Sequence, residues 1–171
     1  IEPDGRTMIM VQQVADASSL PNDRESVFWL NLREIPPKSD KPNVLMLAMQ
    51  TRMKVFWRPK GIKVDPLLDA VPGVETLTLA RKGDRYEVNN PTPYHFSFVE
   101  ARDSLNGKAL DDFEPVMVSP KDKAALTLPT LRLGNNPTLM FINDYGSARL
   151  LPFTCTGTLC RAGKVALPKE G

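Results

Sequence analysis

Sixteen prolines spread through a chain of 171 residues constrain it more than any other feature. Proline removes a backbone donor and clashes with the preceding helical turn, so a chain punctuated this often has little room for long helices. The apolar residues between the prolines come in runs of five to ten, and capped segments with a period of 3.6 are absent. The sequence therefore predicts an all-β protein. The expected strands are Thr7 to Gln13, Glu25 to Ile35, Val44 to Trp57, "VETLTLARK", "RYEVNN", "YHFSFVEA", "FEPVMVS", "AALTLPT", "PTLMFIND" and "ARLLPFTCT". Turn signals such as "RKGDR", "SLNGK" and "LGNNP" separate them, and "DASSLPNDRES" carries the one hint of a helical turn.

A boundary is expected near "RPKGIKVDP", where the longest apolar run ends in a link containing proline and glycine. Residues 61–171 have the size and strand count of one immunoglobulin-like β-sandwich. Residues 1–60 have too few strands to close two facing sheets, so this first sandwich domain reads as incomplete at its N-terminus.

Charge and motif content narrow the function. Basic and acidic residues number 22 and 20 and are mixed along the chain, leaving no electrostatic footprint for nucleic acid. No uncharged apolar run approaches the length of a membrane-spanning helix, so the chain is not expected to be membrane-embedded. A glycine-rich phosphate loop is absent, and no cofactor is implied. His95, the single histidine, has no nucleophile and orienting group in any recognisable pattern, and reads as structural. Asp111, Asp112 and Glu114 lack the spaced oxygen ligands of a calcium loop and read as a solvated face. No catalytic or metal-binding residue is assigned.

The two cysteines, Cys155 and Cys160 in "FTCTGTLC", are separated by a stretch able to reverse the chain. A local disulfide is the preferred reading, with two buried thiols as the alternative. A metal site would need further soft ligands, and only His95 is on offer. A disulfide implies an oxidising compartment.

One segment breaks the alternation of a half-buried strand. In "NVLMLAMQ" six consecutive residues, Val44 to Met49, are apolar. Such a run fits a central strand covered on both faces, or an edge strand that offers one apolar row to another chain. From Thr51 onward the pattern is one-sided, with Arg52 and Lys54 interrupting the even positions. The residue pattern leaves both readings open.

Four stretches together carry a resemblance: "NDRESVFWLNLREIPP", "NVLMLAMQTRMKVFWRP", "NNPTPYHFSF" and "FINDYGSARLLPFTC". In order and spacing, from about Glu2 to Cys160, they resemble the PapD-type periplasmic pilus chaperones of the chaperone–usher pathway. The resemblance implies two immunoglobulin-like domains with a subunit-binding cleft between them. It also implies a donor strand in which Leu45, Leu47 and Met49 face a pilus subunit, while Val44, Met46 and Ala48 face the chaperone's own core. Three such side chains removed from water contribute about 5–9 kcal/mol gross. Lys54 falls on the family's anchor for the subunit's C-terminal carboxylate. The first-strand arginine that completes that anchor has no counterpart, because the resemblance begins at Ile1. Glu25, Arg58 and Asp144 match a charged cluster that fixes the angle between domains. Pro36 and Pro37, with "KSDKP", match the connection before the donor strand.

The implied function is that of a non-enzymatic periplasmic chaperone. It would bind, fold and cap pilus subunits by donor-strand complementation and deliver them to an outer-membrane usher, with self-association of the free protein left open. A structural pilus subunit or surface adhesin is the alternative, disfavoured because the apolar strand is interior to the chain. With the facing strands of the first domain missing, the row Val44, Met46 and Ala48 would have no core to face. The native protein is accordingly expected to be longer, by ~60 residues from the size of such a domain, or this chain to be a fragment.

Overall fold

The computed structural model describes residues 8–12, 17–36 and 45–168. Its elements are almost all strands, as the proline spacing predicts. A ribbon of two antiparallel strands, β1 (Ser26–Arg33) and β2 (Gln50–Trp57), comes first. Its register runs without interruption from Ser26 opposite Trp57 to Arg33 opposite Gln50.

The remainder is a sandwich of eight strands: β3 (Thr78–Lys82), β4 (Arg85–Asn90), β5 (Phe96–Arg102), β6 (Val116–Val118), β7 (Asp122–Pro129), β8 (Thr138–Ile142), β9 (Ala148–Thr156) and β10 (Leu159–Ala162). The hydrogen-bonded order is β6-β5-β8-β9-β10-β3-β4-β7. Strand β9 belongs to both layers. Its residues Ala148 to Pro152 pair with β8, and Phe153 to Thr156 pair with β10. The hand-over falls at Pro152, as expected of a strand that turns a corner between sheets. The two inner faces meet in a core that includes Leu79, Val88, Phe98, Leu126, Leu139 and Phe153, all fully buried.

Alternation explains which side chains enter that core. In β4 the inward residues are Tyr86, Val88 and Asn90. In β5 they are Phe96 and Phe98, and then, after an irregularity between Phe98 and Glu100, Ala101. A bulge shifts the parity of everything beyond it. Ser97 and Val99, alternating with Phe96 and Phe98, lie on the opposite face of β5 and are turned outward.

The last hairpin contains the disulfide. Thr156 pairs with Leu159, leaving a two-residue turn whose first residue, Gly157, has φ 62°. Glycine enters that left-handed region without the cost a side chain would incur. Cys155 and Cys160 are directly opposite each other and are joined by a disulfide bond.

Two expectations need correction. Met8–Gln12 forms no strand; among the described residues nothing pairs with it, and an unpaired segment is not a strand. The run expected as one strand from Val44 starts only at Gln50, because the ladder with β1 ends at Arg33, with one further bond from Glu34 N–H to Met49 O at 2.8 Å. Met46, 51% exposed, and Ala48, exposed as well, face no core, the outcome expected where the facing strands of the first domain are missing. Among the described residues no sheet covers that side. Val44 and Pro37 lie outside the described residues. The expected helical turn is present as a single 3-10 turn, Ala17–Ser19.

Candidate functional site

A cleft of about 660 Å³ opens between the ribbon and the sandwich, with Lys54 and Phe56 of β2 on one wall and His95, Ser97, Val99 and Ile142 on the other. Two polar groups organise it.

The first is Lys54. Residues of β2 at even positions share one face, and this face carries Lys54 and Phe56 into the cleft. The Lys54 ammonium donates to Ser97 Oγ at 2.8 Å, across 43 residues of sequence. It also sits 5.7 Å from the centre of the Trp29 ring, its cross-strand partner on β1. Burial pushes its pKa below the ordinary lysine value. Among the described residues no carboxylate pairs with it. The arrangement suits an ammonium that holds an anionic group entering the cleft.

The second is the charged cluster. Glu25 lies just before β1, with its side chain 2% exposed, and Arg58 lies just after β2. Arg58 Nε donates to Glu25 Oε1 at 2.8 Å, and Arg58 Nη1 donates to Asp144 Oδ2 at 2.6 Å. Arg58 thus spans a carboxylate beside the ribbon and one on the sandwich loop after β8. Burial alone would push the Glu25 carboxyl up. Hydrogen bonds from His95 and Arg58 outweigh it and hold the group below its ordinary value. Burial would likewise lower the Arg58 pKa, but its bonds to Asp144 and Glu25 raise it above the usual arginine value.

Local sequence explains the loops that present these groups. Asn143 Oδ1 accepts from the backbone N–H of Tyr145 at 3.0 Å and of Ser147 at 2.8 Å, and Gly146 takes the left-handed φ of 77° that closes the turn. This folds "INDYG" so that Asp144 projects toward Arg58. On the other loop, the buried Asn90 amide donates to Tyr94 O at 2.7 Å and Ser119 O at 2.9 Å, while its oxygen accepts from Thr92 N–H and Oγ1. All four hydrogen-bonding positions of the amide are thereby used. The turn "NPTPY" is fixed, and the direction of His95 and Ser97 with it. Tyr94 then ties to the link after β2, donating to Ile62 O at 3.0 Å, and its ring stacks 5.1 Å from the Arg58 guanidinium.

The approach to β2 is the third feature. Leu45, Leu47 and Met49 are 82%, 73% and 72% exposed. Among the described residues β2 pairs with β1 alone, so its second edge is open. Sequence reasoning singled out Lys54, the apolar row and the three charges, and Arg58 does bond to both Glu25 and Asp144. It missed Ser97, Asn90 and the part His95 plays. The signal for Asn90 was the "NNPTP" turn chemistry, whereas nothing local marks Ser97.

The family model described as "Pili and flagellar-assembly chaperone, PapD N-terminal domain" matches residues 1–63, and that described as "Pili assembly chaperone PapD, C-terminal domain" matches residues 73–151. The chain belongs to the PapD family of pilus assembly chaperones. "Chaperone protein PapD" of Escherichia coli is 38% identical over 164 residues, covering 96% of this chain and 66% of that protein. "Probable fimbrial chaperone YfcS" of Escherichia coli K12 is 40% identical over 153 residues, covering 90% of this chain and 59% of that protein. The crystal structure of the Pseudomonas aeruginosa CupB2 chaperone aligns with a TM-score of 0.59 at 28% identity, covering 81% of this chain and 61% of that one. The chain thus spans roughly three fifths to two thirds of the length of these PapD-family relatives.

Proposed function

We propose that this chain binds pilus subunits as a periplasmic chaperone, lending them the segment Leu45 to Gln50 as a strand and anchoring their C-terminal carboxylate on Lys54. The observation that carries this reading is the exposed apolar segment Leu45 to Met49, of which only Met49 bonds to the β1 side, running directly into β2, whose second edge is open among the described residues. An edge of this kind recruits another chain through backbone hydrogen bonds, and alternating apolar side chains supply affinity. The relatives' names, a chaperone protein and a fimbrial chaperone, support the same role.

In this reading residues 1–60 belong to the first immunoglobulin-like domain and residues 61–171 form the second. Glu25, Arg58 and Asp144 hold the two at a set angle, so that the cleft keeps its shape while a subunit is bound. The folded and capped subunit then passes to an outer-membrane usher. The work is binding and release, with no catalytic step.

Co-expression with a pilus subunit in the periplasm tests the proposal. The wild-type chain should co-purify with the subunit, and Lys54→Ala should lose it. Equal recovery of the subunit by both proteins would remove Lys54 from the binding site.

A further inference from the structure

His95 is not accounted for by the cleft chemistry, yet its side chain is 4% exposed and makes specific contacts. Its backbone N–H donates to Glu25 Oε2 at 2.7 Å, and its ring Nδ1 lies 3.1 Å from the same oxygen. The other carboxylate oxygen, Oε1, accepts from Arg58. Glu25 is held a fourth time through its own N–H, which donates to Pro93 O at 2.9 Å. The two oxygens of Glu25 are therefore divided: one is taken by the sandwich and one by Arg58.

We propose that His95 is a positioning residue, whose ring Nδ1–H fixes the plane of the Glu25 carboxylate so that Oε1 meets Arg58 and the ribbon is seated on the sandwich. The terminal torsion of a glutamate is soft. A single backbone donor on Oε2 leaves the carboxylate free to swing, whereas a second donor from a different direction defines its plane. An ionised carboxylate only accepts hydrogen bonds, so Nδ1 must carry a proton. The Phe56 ring, 5.3 Å from the imidazole and tilted by 45°, packs against the contact.

The inference rests on the reading of Glu25, Arg58 and Asp144 as the tie between ribbon and sandwich, and its test separates the two. Because the chain has one histidine, the imidazole ¹⁵N spectrum of the untagged protein reports His95 alone. A proton on Nδ1 is expected, although neutral free imidazole side chains favour Nε2–H, and an unprotonated Nδ1 would overturn the proposal. Spin labels on Asn31→Cys and Arg81→Cys, both exposed positions, then read the ribbon-to-sandwich distance. His95→Phe should broaden and shift the distribution, and His95→Asn, whose amide nitrogen replaces Nδ1, should restore it. A wild-type distribution in His95→Phe, with a broadened one in Arg58→Gln, would overturn the role of His95 while keeping the tie. An unchanged distribution in Arg58→Gln would overturn the tie itself, and the proposal with it. Should His95→Phe not fold, the Nδ1 proton decides alone.

Discussion

Lys54 Nζ donates to Ser97 Oγ at 2.8 Å, so the ammonium of the cleft is held by a neutral hydroxyl and not by a carboxylate. A hydroxyl orients the charge without neutralising it. An incoming carboxylate then gains a charge-assisted bond, which is stronger than the contact it displaces. Lys54→Ala should therefore leave the fold nearly untouched, at about 1 kcal/mol by denaturant unfolding, while removing subunit capture.

The state of that lysine makes binding sensitive to alkali. Burial lowers its pKa, and only the ammonium form attracts a carboxylate. Subunit affinity should fall as pH rises through this lowered value, earlier than the ordinary lysine value of about 10.4 would allow. Titrating affinity from pH 7 upward checks the sign: binding unchanged past the ordinary value would mean that the ammonium is not the anchor.

Glu25 and Asp144 both bind Arg58, but their surroundings differ. The Glu25 side chain is 2% exposed and that of Asp144 is 42% exposed. Removing the buried partner leaves Arg58 partly desolvated and uncompensated, so Glu25→Ala should cost about 3 kcal/mol. Asp144→Ala acts on a solvated pair and should cost below about 1 kcal/mol. Urea unfolding of the two variants should rank them in this order.

The pH dependence of stability follows from the same residue. Because the folded-state pKa of Glu25 is lowered, its contribution is fully present above the unfolded value, about 4.3. It is lost as pH falls through the folded value. Wild type should lose stability on acidification from pH 5 downward, and Glu25→Gln, already weaker at neutral pH, should lose less over the same range.

The disulfide closes a short loop, with a sequence separation of 5. Chain entropy then gives about 2 kcal/mol. Reduction should lower unfolding stability by about that amount without loss of the sandwich, whose core is built from both sheets.

How far the sequence could be read depended on whether a residue's partner was local. β4 was legible because one of its faces is buried, so Tyr86, Val88 and Asn90 alternate with solvated neighbours. The segment before Gln50 was misread as strand because a six-residue apolar run satisfies strand propensity, whereas strand formation also needs a partner, and β1 ends at Arg33. Lys54, Glu25, Arg58 and Asp144 carry no local pattern that marks them. They were reached through the resemblance, since the contacts that define them span 33 to 86 residues. Ser97 and His95 lay beyond both routes: their roles follow from the outward face of β5 and from a loop fixed by Asn90, and those appear only once the sheets are assembled.

Backbone amide exchange across Leu45 to Gln50, measured with and without a purified pilus subunit, tests the central claim most directly. Met49 O faces β1, where it accepts from Glu34 N–H, and successive amides of a strand point to opposite edges, so the amides of Met46, Ala48 and Gln50 on the open edge should change from fast exchange in the free chain to strong protection in the complex, and Leu47→Glu should abolish both complex and protection. A stable complex in which these amides still exchange freely would contradict strand donation and place the subunit elsewhere on the chaperone.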